Sequence, residues 1–300
     1  MRLLDAIGRT PLLELPRIAS SVPGVRLLAK AEHRNPGGSV KDRPARAMIV
    51  DGISRGTLSG GQVILEATSG NTGIADAMIG SALGFRVTLC VPGNVSSERR
   101  AILAAYGAEL VLTDPLEGTD GAIRKARALA AERPDLYFYP DQYTNPANWR
   151  AHFETTGPEI WEETGGRLTC FVAGLGTSGT FMGVTRFLRK MDPSIRCVSV
   201  EPDGPLHGLE GMKHMASAMV PAIYDPSLAD ARREVATEDA REMCRRLGRE
   251  EGLFVGPSSG ANVTAALAVA RELDGAPATI VTILCDGGDR YLHADFWRQS

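Results

Sequence analysis

The sequence predicts an α/β fold of two three-layer domains with mostly parallel sheets, and three observations carry that expectation. Short apolar runs alternate with segments of helical period almost throughout, the pattern of parallel strands covered by helices on both faces. One stretch rich in proline and asparagine, YPDQYTNPANWRAH at 139–152, interrupts the alternation near the middle. The chain has 300 residues, 43% of them hydrophobic, enough to bury two cores of ordinary size.

Taken in order, the N-terminal run MRLLDAIGRTPLLEL carries Asp5 and Glu14 among its apolar residues. It reads as neither leader nor membrane segment, and no apolar stretch reaches the ~20 residues a span requires. The turn NPGGSV precedes Lys41, and a helix is expected directly after that lysine. Strands are expected at 62–67, 86–92, 109–113, 170–174, 196–201 and 279–285, where apolar and β-branched residues cluster. Helices are expected at 71–83, 96–106, 121–133, 180–190, 239–251 and 259–273. Residues 205–232 break the pattern with Gly204, Pro205, Gly208, Gly211, Pro221 and Pro226, and an irregular segment of that length inside a domain is more often functional than idle. Residues 36–145 are expected to form a smaller, mobile domain, and 1–35 with 146–300 a larger one.

Charge and composition exclude several classes of function. The 33 basic and 36 acidic side chains are mixed along the chain, with a net charge of -3 and no basic block, so nucleic acid is not an expected partner. Cys90, Cys170, Cys197, Cys244 and Cys285 are widely spaced, four of them in apolar, strand-like runs, and read as buried thiols in a reducing cytoplasm. His33, His152, His207, His214 and His293 form no ligand pair, and no structural metal is expected.

The stretch CFVAGLGTSGTFMG reads as strand, tight glycine turn and helix, an arrangement in which exposed N–H groups and the helix dipole attract phosphate. Gly174, Gly176 and Gly179 also fit G-x-G-x-x-G, and Glu201 ends the next strand, so a nicotinamide-dependent oxidoreductase is a rival reading. That rival gives no role to a second small-residue turn, ATSGNTG at 67–73, to a third, GPSSGAN at 256–262, or to Lys41. Three turns rich in Gly, Ser and Thr imply several donors for one ligand bearing a carboxylate and a phosphate, and a nearby lysine suggests covalent attachment. Pyridoxal 5'-phosphate needs those parts: a phosphate cradle, a lysine for a Schiff base and a contact to the pyridine nitrogen. A lysine recessed beside apolar Val40, with positive helix ends nearby, is suited to being partly neutral and therefore nucleophilic.

On the motifs GRTPLLEL, RNPGGSVKDRP, EATSGNTG, NPAN, TTGPEIW, GLGTSGTFMG, GPSSGA and DRYL, in that order, the chain resembles the cysteine synthase family, pyridoxal-phosphate enzymes of fold type II with the tryptophan synthase β-subunit fold. The resemblance is to the B-type-like branch, which uses O-acetylserine or O-phosphoserine. It implies that Lys41 carries the cofactor and moves the Cα proton as acid and base. It implies that Asn71 bonds the cofactor's 3-hydroxyl and that Thr68, Ser69, Gly70 and Thr72, with Gln142, hold the substrate carboxylate. Gly176, Thr177, Ser178, Gly179 and Thr180 would cradle the phosphate and Ser258 would face the pyridine nitrogen. A hydroxyl there, in place of an aspartate, makes the ring a weaker electron sink and favours expulsion of a β-substituent. The reaction implied is β-replacement: an activated serine loses its leaving group, an aminoacrylate forms, and a sulfur donor adds to give L-cysteine.

The resemblance also implies a homodimer acting on small molecules, and it leaves open a sulfur-carrier protein or a serine acetyltransferase as partner. The related dehydratases carry Asn-His where this chain has Asn71-Thr72, and the haem-binding and regulatory extensions of cystathionine β-synthase are absent from this sequence. Two departures stand out. Ser178 occupies a place where many relatives carry Gly, harmless only if its φ is negative, and CDGGDRYL puts Gly287 and Asp289 near the pyridine end. Lys213, in the irregular segment, falls where relatives that accept anionic substrates carry arginine, and is expected to contact a phosphate leaving group.

Overall fold

The computed structural model describes residues 2–68, 70–273 and 275–298. The strands are β1 (Leu12–Glu14), β2 (Val25–Ala31), β3 (Val63–Ala67), β4 (Arg86–Pro92), β5 (Glu109–Thr113), β6 (Tyr137–Phe138), β7 (Cys170–Gly174), β8 (Arg196–Pro202), β9 (Ala231–Val235) and β10 (Ala278–Leu284). The helices are α1 (Asp42–Ser54), α2 (Asn71–Leu83), α3 (Ser97–Ala105), α4 (Gly118–Glu132), α5 (Pro146–Ala151), α6 (Gly157–Glu163), α7 (Gly179–Met191), α8 (Thr237–Glu251) and α9 (Pro257–Arg271). The chain divides into two compact units, residues 1–7 with 41–148 and residues 8–40 with 149–300, so it changes unit after Val40 and, within α5, after Asn148. None of the helices among the described residues is long and apolar enough to cross a membrane.

The first unit is a parallel sheet in the order β5-β4-β3-β6, with Ala67 of β3 level with Cys90 of β4. Its core unites Ile64, Leu89 and Val91 with Ile74, Met78 and Ile79 of α2, Ile49 of α1 and Leu103 of α3. Because all four strands run the same way, the segments that follow them, 68–70, 93–96 and 139–142, leave from one edge of the sheet. Ligand sites in open parallel sheets form at that edge.

The second unit has six strands in the order β1-β2-β10-β7-β8-β9, all parallel except for the β1–β2 pair. β2, β10 and β7 are neighbours, so the turns after Ala31, Leu284 and Gly174 also share an edge. The core lies on both faces of this sheet. One side packs Val172, Val198 and Ile280 on α8 and α9, and the other packs Phe171, Val281 and Ile283 on α6 and α7.

The six expected strands are β3, β4, β5, β7, β8 and β10. Among those not expected, β2 carries Lys30 within its apolar run. That lysine is fully buried and forms ion pairs with Glu159 (2.9 Å) and Glu163 (2.5 Å) of α6, partners more than 120 residues away. β9 is an edge strand in which exposed Arg232 and Glu234 alternate with half-buried Ala231 and Arg233. The predicted interruption at 139–152 contains the whole of the short helix α5, and α5 and α6 are joined by a π-turn at His152–Thr156. Residues 205–225 form no helix or strand, as expected of the irregular segment. All five cysteines are free thiols, four buried and Cys285 half-buried.

Candidate functional site

In the first unit the turn after β3 and the segment after β6 come together. Thr68 and Thr72 are buried on either side of Gly70, which caps α2. The Thr68 hydroxyl accepts the Gly70 N–H (3.0 Å), closing a tight turn, and the backbone N–H of Thr68 donates to the Cys90 carbonyl (3.1 Å). Thr72 donates its hydroxyl hydrogen to the Gln142 side-chain carbonyl (2.7 Å), and the Gln142 amide donates to the Ala67 carbonyl (2.9 Å). Asn71 is the half-buried first residue of α2, where helix N–H groups lack intrahelical partners. Ser69 lies outside the described residues. Lys41, half-buried, caps α1, and its carbonyl accepts the Ala45 N–H (3.1 Å). The unit therefore offers a donor-rich loop at a helix N-terminus, the arrangement a carboxylate requires.

Beneath this loop lies a feature that the sequence reading missed. Glu66, at the end of β3, accepts the backbone N–H of Ala67 (2.8 Å) and of Gln142 (3.1 Å), and so holds Gln142 in place. Asp76 is fully buried on α2, and neither of its carboxyl oxygens has a hydrogen-bond partner. Burial, reinforced by the neighbouring Asp76, pushes Glu66 well above the usual carboxylate range, and burial pushes Asp76 up to about 8.

In the second unit the turn 175–178 connects β7 to α7. Gly176 has no room for a β-carbon, because the carbonyl of Gly211 occupies that place, and the Lys213 N–H donates to the Leu175 carbonyl (2.8 Å). The irregular segment is thereby stitched onto the turn, and Lys213, expected to be a specificity residue, is only 9% exposed there. Thr177 and Ser178 are buried, while Gly179 and Thr180 begin α7. The φ of Ser178 is +68°, in the left-handed region, so this departure is not the harmless one a negative φ would have made it and costs about 1 kcal/mol. Its hydroxyl oxygen is buried without a protein partner, a cost that an oxygen-rich anion at the α7 N-terminus would relieve. A phosphate therefore fits the residues present.

Thr180 is within hydrogen-bond distance (3.3 Å) of His152 Nε2, and His152 Nδ1 is 2.9 Å from the Thr156 hydroxyl. The histidine is buried at the start of the π-turn, and only the fold reveals its place behind the phosphate turn.

Ser258 sits in the first turn of α9, half a turn after Gly256. The carboxylate of Asp286 and the ring of Tyr291 close over Gly256, leaving no space for a side chain there, and the Tyr291 hydroxyl donates to Asp286 (2.6 Å). Gly287 is needed for a similar reason, since Asp289 folds back against it. Arg290 donates to the Gly37 carbonyl and the Val40 N–H donates to the Cys285 carbonyl (2.8 Å), so the DRYL motif and its neighbours fix the turn that ends just before Lys41. Glu201, which the nicotinamide reading places on a ribose, accepts the Met215 N–H (2.8 Å) and pairs with Arg232 (3.0 Å). Its carboxylate is already engaged in holding the irregular segment.

Two outcomes follow for these residues. A carboxyl whose pKa is raised by folding stabilises the fold fully below its unfolded value, about 4 for aspartate, and loses that contribution as pH rises through its folded value. For Asp76 that window ends near 8. Asp76→Asn should flatten the fall in thermal midpoint between pH 6 and pH 9, whereas parallel profiles for variant and parent would contradict the assignment. Ser178→Gly should raise the thermal midpoint of the cofactor-free protein by about 1–2 °C through relief of the left-handed strain. It should also weaken pyridoxal phosphate binding several-fold, as read by equilibrium titration, through loss of one hydroxyl.

Comparisons with known proteins give the family. Residues 3–286 match the family described as pyridoxal-phosphate dependent enzyme. The chain is 50% identical over 294 residues to the cysteine synthase of Aquifex aeolicus, covering 97% of this chain and 90% of that protein. It is 44% identical to cysteine synthase B of Pseudomonas aeruginosa, covering 96% and 94%. The crystal structure of the cysteine synthase of Entamoeba histolytica superposes with a TM-score of 0.94 at 37% identity, covering all of this chain and 91% of that one. The order of motifs, the two donor-rich turns and these likenesses lead to one conclusion: the chain belongs to the cysteine synthase family of pyridoxal-phosphate-dependent enzymes.

Proposed function

We propose that this enzyme forms L-cysteine by β-replacement on an activated serine, and that O-phosphoserine is its preferred donor. When bound, pyridoxal phosphate supplies an electron sink that acidifies the substrate Cα–H and lets the β-substituent leave. The chain's own residues do the rest. Lys41 anchors the cofactor and afterwards takes and returns the proton at Cα. Asn71 donates to the 3-hydroxyl. The N–H groups of 176–180, with the hydroxyls of Thr177, Ser178 and Thr180, hold the phosphate. Ser258 presents a hydroxyl to the pyridine nitrogen. Thr68, Ser69, Gly70, Thr72 and Gln142 hold the amino-acid carboxylate and so orient the Cα–H bond toward its base. The five free thiols fit a reducing compartment such as the cytoplasm.

The observation that carries the choice of donor is Lys213. A solvated loop lysine keeps its side chain in water, but this one is 9% exposed, on a segment hydrogen-bonded to the phosphate turn. A lysine so placed carries a positive charge that a phosphate leaving group would meet as a point-charge partner. O-acetylserine, whose ester group is uncharged until it leaves as acetate, is the second reading.

Steady-state assays with O-phosphoserine and O-acetylserine, each against sulfide, test this proposal. A lysine–phosphate contact is worth on the order of 1.5–3 kcal/mol, so Lys213→Ala should lower kcat/KM for O-phosphoserine roughly ten- to a hundredfold. It should leave O-acetylserine nearly unchanged, and equal losses on both donors, or none, would refute the role.

A further inference from the structure

Resting on the reading of 68–72 as the carboxylate loop, we propose that Arg99 is a further binding residue, supplying the positive charge behind that loop which selects an amino acid's ionised carboxylate. The topology brings it there. Gly70 follows β3 and Arg99 follows its neighbour β4, so both leave the same edge of one parallel sheet.

The start of α3 is tightly specified. Ser96 caps it by accepting the Arg99 N–H (3.4 Å), which makes Arg99 the third residue of the helix. Arg100 turns back, donating to the carbonyls of Gly93 and of Val95 (3.2 Å), and so ties the helix to the turn that precedes it. Arg99 points the other way and is only 6% exposed. Its guanidinium carbon is 3.4 Å, and one terminal nitrogen 3.5 Å, from the place a β-carbon of Gly70 would occupy.

The guanidinium thus lies against the residue that caps α2, at the positive dipole end of that helix. A guanidinium stays charged at any working pH, and away from bulk water its field is screened little. Arg99 and the α2 terminus together make the loop a place where an anion is favoured and a neutral amide is not. Thr68, Thr72 and Gln142 offer hydrogen bonds that a carboxamide could also use. The charge is what distinguishes the two ligands.

The test is a thermodynamic cycle on the holoenzyme, with L-serine and L-serinamide titrated calorimetrically. Both keep the substrate's amino group, and neither carries a good leaving group. The parent should bind L-serine at least about tenfold more tightly than the amide, the size expected of a unit charge a few ångströms away at an intermediate dielectric. Arg99→Gln should shrink that ratio at least about fivefold while leaving the dissociation constant for serinamide unchanged, and Arg99→Lys should keep most of it. Equal weakening of both ligands in Arg99→Gln would mean that the arginine only shapes the loop, and an unaltered ratio would mean that its charge is not felt. Either result overturns the proposal, as does a ratio lost in Arg99→Lys, which can be read even if the Gln variant fails to fold. If the parent itself does not distinguish acid from amide, it is the reading of 68–72 as a carboxylate loop that has failed.

Discussion

Backbone N–H groups at a helix N-terminus can hold a phosphate where nothing crowds the turn that enters the helix, and the turn from β7 to α7, proposed here for that role, is tightly constrained by its neighbours. Gly176 cannot carry a β-carbon because the Gly211 carbonyl fills the space, and Lys213 is drawn in by the hydrogen bond to Leu175. Ser178 accepts a left-handed backbone and a buried, unpartnered hydroxyl at the same turn. Such local costs persist where the surrounding structure over-determines them, and they cluster at functional sites. The irregular segment 205–225 is then no idle insertion, since Glu201 and the phosphate turn both anchor it through Met215 and Lys213.

The first unit builds its proposed carboxylate loop by different means. Its loop is short, and its shape comes from Thr68 closing on Gly70 and from Gln142 bridging Thr72 and Ala67. Gln142 is in turn held through its backbone by Glu66, a carboxyl whose pKa burial raises well above its usual range. In the reading proposed for that loop, Arg99 lies against Gly70 and would favour an anion there.

What could be read from the sequence, and what could not, divides along physical lines. β3, β4, β7, β8 and β10 are largely continuous apolar runs, and a strand buried on both faces announces itself in that way, while the edge strand β5 shows the apolar run LVL although it is only half-buried. β2 hides because Lys30 interrupts it, and the two glutamates that compensate the charge are far off in the chain. β9 hides because edge strands can be charged. The glycine turns and Lys41 stand out in the sequence as motifs, since the chemistry proposed for them demands those residue types in those places. The supporting residues were not: Glu66 with Asp76, His152 behind Thr180, and Asp286 with Tyr291 over Gly256 act through packing across distant segments. The sign of φ at Ser178 was equally hidden, because nothing in a serine's identity reveals that its neighbours force it left-handed.

The account depends most on Lys41, the residue at which the chain passes from the turn fixed by Arg290 into α1. Borohydride reduction of the purified holoenzyme, followed by proteolysis and mass mapping, reads this directly. The account predicts a single pyridoxyl label on the peptide containing Lys41, with loss of the yellow colour of Lys41→Ala preparations from the outset. A label on another lysine, or none on a fully folded and active enzyme, would contradict it.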